Sequence, residues 1–223
     1  MTSRALTRKF SSLTGSQLDY LVIDGSGSMI DKWWDFMASA DSYVRLLKDA
    51  NLNSHLIATV FDDKSIGYIQ RDEPLADWTS FIDNPLGLGR GYTPLYDAIS
   101  AAGLHLRELD PARASIIFVT DGDENASKGT NLTQAAAIIN WMKAKGWQIT
   151  FIGCDFNNMR QAAALGVTEH NAIGVAKAHL IDAAKALGEK RIRHARFGTD
   201  MHFSDEEKQQ FGGYLNGPSS DKE

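Results

Sequence analysis

Cys154 is the only cysteine in 223 residues, so an intrachain disulfide framework is excluded. No apolar run approaches the roughly 20 residues that a membrane-spanning helix needs. Positive charge is not in excess. Lys and Arg number 23 against 28 Asp and Glu, a formal net charge of −5, so no nucleic-acid partner is expected. The six histidines are scattered, with no H-E-x-x-H pattern. The opening residues, MTSRALTRKFSSLTGSQ, lack the apolar stretch of a secretory signal. Together these absences lead to the expectation of a cytoplasmic protein, or of a virion component assembled in the cytoplasm, with no membrane partner.

What is present is an alternation of two textures. Short β-branched or aromatic runs read as buried strands: LDYLVI from Leu18, HLIATVF from His55, SIIFVT from Ser115 and WQITFIG from Trp147. Longer stretches of helical period lie between them. Trp33, Phe36, Met37, Ala40, Val44 and Leu47 mark one, and Leu132, Ala135, Ile138, Ile139 and Met142 mark another. Thr130 or Asn131 is placed to cap the second, and Gly146 to end it. TPLYDAISAAGLHLREL is a further helix with proline in its first turn. KSIGYIQRDE follows the second strand after a tight turn, as an antiparallel hairpin partner, and NAIGVA is a weaker last strand. KAHLIDAAKALGEKRIRHA reads as a closing helix. The fold class expected is α/β: a Rossmann-like, doubly wound, mostly parallel sheet with one antiparallel edge strand and helices on both faces. Residues 1–16 read as a polar N-terminal arm, 17–195 as the domain, and 196–223 as an acidic, Gly/Ser-containing tail, mobile or loosely docked.

In an open α/β sheet, ligands sit beyond the carboxyl ends of the strands. The first strand ends at Asp24, and Ser26 and Ser28 follow it at alternate positions with glycines between. An extended loop turns all three side chains one way. The strand SIIFVT delivers Asp121 to the same rim, and the glycine-rich stretch GLGRGYTPLYDAI presents Thr93 at the start of a helix. Carboxylates and hydroxyls are hard oxygen donors suited to Mg²⁺ or Mn²⁺. Only two of the five groups are charged, so water or an outside carboxylate must complete an octahedron there.

Competing chemistries fail on spacing. Neither serine sits in G-x-S-x-G. No G-x-x-x-x-G-K-[ST] loop or G-x-G-x-x-G turn is present. DGDENASKGTNL begins like a calcium loop, but has Ala126 in place of the glycine and Leu132 in place of the closing glutamate. An enzyme is not expected. A metal-assisted hydrolase needs a base beside the metal, and Asp123 is the only local candidate.

D-G-S-G-S at Asp24 to Ser28, Thr93 in GYTPLYDAI and Asp121 in TDGDE together resemble the metal-ion-dependent adhesion site of von Willebrand factor type A domains. The three parts occur in that family's order over residues 17–194. The resemblance implies that Ser26, Ser28 and Thr93 approach a Mg²⁺ or Mn²⁺ directly, and that Asp24 and Asp121 act directly or through water. It also implies that an open position accepts an Asp or Glu from a protein partner. The function expected is thus a metal-dependent protein-binding module. The alternative is an assembly component of a phage or prophage particle, or of a bacterial stress or defence complex, self-associating through arm or tail.

Several neighbours carry narrower expectations. Asp97 is expected to brace a loop and not to ligate. Asp123 and Glu124 are either water-holding neighbours of the site or solvated loop acids. Trp33 and Trp34 are both expected to pack in the core, the alternative being that one is exposed near the rim. The basic run EKRIRHAR complements a helix C-terminus or forms a docking patch. Cys154 is expected to be buried and inert. Asp200, Asp205, Glu206 and Glu207 are carboxylates that a mobile tail could bring to the metal's open position, in this chain or a neighbour.

Overall fold

The computed structural model of the protein describes residues 16–82, 91–153 and 156–212. The N-terminal arm up to residue 15, the stretch 83–90, Cys154 with Asp155, and residues 213–223 lie outside them.

Six strands form one sheet: β1 (Gln17–Asp24), β2 (His55–Phe61), β3 (Ile66–Pro74), β4 (Arg113–Thr120), β5 (Gln148–Gly153) and β6 (Ala172–Gly174). Their order is β3-β2-β1-β4-β5-β6. Every pairing is parallel except β2 with β3, as the hairpin signal implied. Strand β1 shows why its sequence is apolar from Leu18 to Ile23 except at Asp19. Leu18, Tyr20 and Val22 enter one core, while Leu21 and Ile23 enter the other. Successive side chains point to opposite faces, and a central parallel strand is covered on both.

Helices α1 (Trp33–Asp49) and α5 (Leu180–Phe197) cover one face; α2 (Leu95–Leu109), α3 (Leu132–Ala144) and α4 (Phe156–Ala164) cover the other. The cap expected at Thr130 or Asn131 is Asn131. Its side chain accepts from Gln134 N at 3.0 Å, while Gln134 Oε1 accepts from Asn131 N at 2.9 Å. The reciprocal pair satisfies two backbone donors at the helix start.

The first strand and the last long helix are clamped inside the protein. Asp19, fully buried, accepts from Arg191 Nε at 2.7 Å and Nη2 at 3.1 Å, from Tyr43 Oη at 2.9 Å and from Ser54 Oγ at 2.6 Å. Two basic residues of EKRIRHAR, Lys190 and Arg191, are therefore turned inward, while Arg193 and Arg196 are exposed. Arg191 belongs to this clamp, and Lys190 pairs with Glu207 at 2.8 Å.

Within the segment expected to be mobile or loosely docked, the described residues 198–212 are packed. Met201, Phe203 and Phe211 are 1%, 1% and 4% exposed and join the α1/α5 core. A short helix, α6 (Asp205–Gly212), carries the last of them. Ser204 and Glu207 cap it reciprocally: Glu207 N donates to Ser204 Oγ at 3.3 Å, and Ser204 N to Glu207 Oε2 at 2.8 Å. Burying three large apolar side chains outweighs a polar, glycine-containing composition. The segment also places one of the tail carboxylates, Asp200, at the opposite end of the sheet from the strands' carboxyl ends. Asp200 lines a hollow with Gln148 and Ile149 at the amino end of β5, and Glu207 is engaged by Lys190.

Chain order reverses between β1 and β4: β1 leads outward to β2, and β4 to β5. The crevice beyond their carboxyl ends is where such a sheet presents a site.

Candidate functional site

Strand β1 ends at Asp24, and Gly25 N donates to Phe61 O at 2.8 Å, so β2 holds the turn. Asp24 is fully buried. Its Oδ1 accepts from Ser26 N at 2.8 Å and its Oδ2 from Thr120 Oγ1 at 2.7 Å. Burial pushes its carboxyl up to about 6, against the opposing hydrogen bonds from Thr120 and Ser26. Asp24 thus stitches the tip of β1 to the end of β4.

A 3₁₀ turn, Gly27–Met29, follows. It brings Ser28 Oγ to 3.0 Å from Ser26 Oγ, and Ser28 Oγ donates to Asp121 Oδ1 at 2.6 Å. Asp121 Oδ2 accepts from Lys32 Nζ at 2.6 Å. The aspartate side chain is fully enclosed, while that of the lysine is 32% exposed.

Thr93 is buried at the foot of α2. Its N–H donates to Asn125 Oδ1 at 2.8 Å, and Asn125 N donates back to Thr93 O at 3.1 Å. Gly122 shows that Thr93 and Ser28 converge. A Cβ there would lie 2.7 Å from Thr93 Oγ1 and 3.3 Å from Ser28 Oγ. The loop before Thr93 also approaches closely: Gly27 N donates to Gly91 O at 3.1 Å. Gly91 has φ +70°, and a Cβ there would overlap the Asp63 carboxylate, which accepts from Tyr92 N at 3.2 Å. Glycine is the residue that meets both demands.

All five sequence-selected residues, Asp24, Ser26, Ser28, Thr93 and Asp121, therefore meet at one rim. Their neighbours divide by role. Asp97 accepts from Lys128 N at 2.8 Å and Gly129 N at 3.1 Å, bracing the loop as expected. Glu124 accepts from Tyr96 N, Ala126 N and Ser127 N, so it is a loop brace too. Asp123 is exposed. Trp33 is 1% exposed but Trp34 55%, so core packing holds for the first tryptophan and not for both. Sequence reasoning missed Thr120, Asn125, Asp63 and Lys32. Thr120 had a signal, being a polar strand-end residue directly before Asp121. The others are brought in by loop geometry.

Among the described residues, no group of three or more His, Cys, Asp or Glu is placed to hold a metal. The donor set here is of another kind, two carboxylates and three hydroxyls. Mg²⁺ demands octahedral oxygen at 2.0–2.1 Å, which puts neighbouring donors about 3 Å apart, as Ser26 Oγ and Ser28 Oγ are. A cationic group already lies on Asp121. The residues thus fit a hard divalent ion. Around them, Ile30, Trp34 and Tyr92 are 55%, 55% and 64% exposed, and each lies within two residues of Ser28, Lys32 or Thr93 in the chain.

No family model and no curated protein sequence matches the chain. Solved structures do. A von Willebrand factor type A protein from Catenulispora acidiphila superposes with a TM-score of 0.59 at 17% identity, over 80% of this chain and 43% of that one. The pilus adhesin SpaC from Lactobacillus rhamnosus GG gives 0.65 at 9% identity, over 83% of this chain and 31% of that one. The vWF domain of the type V pili tip protein Mfa5 from Porphyromonas gingivalis gives 0.59 at 11% identity, over 81% and 96%. The chain thus spans less than half the length of the first two. It has a von Willebrand factor type A-like fold. The cytoplasmic placement expected from the sequence does not stand, because the neighbours include a pilus adhesin and a pilus tip protein, which are surface-displayed. Among the described residues, no helix is long and apolar enough to cross a membrane.

Proposed function

We propose that this chain is a protein-binding module whose rim takes up Mg²⁺ or Mn²⁺ through Ser26, Ser28 and Thr93, with Asp24 and Asp121 acting directly or through water. A divalent ion held there would supply a Lewis-acidic position able to accept an Asp or Glu carboxylate from a protein partner. The observation that carries the proposal is the convergence of five oxygen-bearing side chains on the β1–β4 switch point, with Ser28 Oγ between Ser26 Oγ and Asp121 Oδ1.

The chain's own residues prepare this surface. Asp24 and Thr120 lock the two strand ends together. Asn125 fixes the backbone of Thr93, and Asp63 fixes that of Tyr92. Exposed Ile30, Trp34 and Tyr92 lie beside a polar centre, and aromatic side chains are enriched at protein interfaces. The likeness to a pilus adhesin and a pilus tip protein supports a binding role over a catalytic one.

The test is capture of protein partners on the immobilised chain, in Mg²⁺ and in EDTA, with Thr93→Ala alongside. A partner held by wild type in Mg²⁺, released by EDTA and lost by a folded Thr93→Ala protein supports the proposal. Partners retained equally in all conditions refute it.

A further inference from the structure

We infer that Lys32 is a tethered cation that occupies Asp121 when no divalent ion is bound and yields to one when it arrives, so that it sets the metal affinity of the rim. The inference rests on the metal-binding proposal above.

Four observations carry it. First, the Asp121 carboxylate is fully enclosed, and a buried carboxylate without a compensating charge is costly. Lys32 Nζ at 2.6 Å supplies that charge. Second, the ammonium lies one carboxylate away from the hydroxyl pair. Oδ2 of Asp121 takes Lys32, Oδ1 takes Ser28, and Ser28 Oγ is 3.0 Å from Ser26 Oγ. A divalent ion bound by these groups would meet a second cation within a few ångströms, in surroundings that screen it less than bulk water does.

Third, the lysine is out of place by local rules. It stands at the cap position of α1 and makes no side-chain capping hydrogen bond. Ser, Thr, Asp and Asn are preferred there, and a positive charge is disfavoured at a helix N-terminus. A residue that breaks the local preference at a rim of converging side chains has its reason in that rim. Fourth, its backbone is anchored while its side chain keeps a route out. Lys32 N donates to Met29 O at 3.0 Å, and Phe36 N donates to Lys32 O at 3.0 Å. With a third of its side chain exposed, the ammonium can swing into water without disturbing the turn that carries Ser28.

The test is a Mn²⁺ titration of the full chain, followed by the paramagnetic signal of free ion, for wild type, Lys32→Met and Asp121→Asn. Lys32→Gln serves as a second neutral variant that retains a donor. The expected result is binding about tenfold tighter in the neutral Lys32 variants, the scale of a typical coupling between two ligands, and weaker binding in Asp121→Asn. Thermal unfolding gives an independent readout. In EDTA the Lys32 variants should melt below wild type, and Mg²⁺ should restore them to at least its midpoint. Equal or weaker Mn²⁺ affinity in folded Lys32 variants, with wild type binding normally, overturns the role of Lys32 and leaves the metal proposal standing. No Mn²⁺ binding by any of the proteins overturns both.

Discussion

Replacing Phe203 with alanine tests whether residues 198–212 belong to the folded domain. Phe203 is 1% exposed in the α1/α5 core, its N–H donates to His170 O at 2.9 Å, and Lys190 Nζ lies 5.4 Å from its ring centroid. Removing a buried phenylalanine side chain costs about 3–5 kcal/mol in transfer and cavity energy. That is a large share of the roughly 5–15 kcal/mol by which domains are stable. At this chain length each kcal/mol moves the melting midpoint by about 2–4 °C, so Phe203→Ala should melt roughly 6–20 °C lower. Phe197→Ala is the control, because Phe197 is 76% exposed and a surface change of that kind stays within about 0.5 kcal/mol. Urea titration followed by circular dichroism reads both. A Phe203→Ala protein within about 1 kcal/mol of wild type would refute the packing described.

Two further outcomes follow from buried polar groups. Asp19→Ala strands the Arg191 guanidinium without its carboxylate and should cost about 3–5 kcal/mol, whereas Asp19→Leu with Arg191→Met should recover most of that loss; a double variant as unstable as the single one in urea would sink the argument. His105 is buried beside Tyr20 and Tyr68, and burial lowers its pKa against the opposing pull of Glu108 and Asp72. The unfolded chain therefore takes up a proton near pH 6.5 that the folded one refuses. The stability this group contributes is complete above that pH and falls as pH drops toward the folded value, by at most about 1.4 kcal/mol per unit. His105→Phe should remove that part of the slope between pH 7.5 and 5.5, and an unchanged slope would count against it.

The alternation of buried runs and helical periods made the sheet and its main helices legible, because a parallel strand covered on both faces leaves an apolar signature that short loops cannot imitate. The rim was legible for a related reason. Strand ends in such a sheet must carry their functional groups at the tip, as Asp24 and Asp121 do. Helix α4 was missed. Its stretch from Phe156 is short and polar, and Ala162 and Leu165 are too few to set a period. Helix α6 was missed although Ser204 and Glu207 spell a capping pair, since acidic and glycine-rich surroundings outweighed the signal. Lys32 could not be selected from the chain. Its four-residue distance from Ser28 has meaning only once the 3₁₀ turn folds the lysine back over Asp121.

The clamp between Asp19 and Arg191 has a consequence in time. Its partners are 172 positions apart, and at roughly 5–20 residues per second a ribosome takes about 10–30 s to travel between them. During that interval the central strand exists with a carboxylate that has no counter-charge, and water is the better host for it. Burial of the middle of the sheet is therefore expected to follow synthesis of the end of the domain. A chain cut before residue 191 would leave Asp19 without its counter-charge, and limited proteolysis of such a chain should find its first strand more open to cleavage than in the full domain.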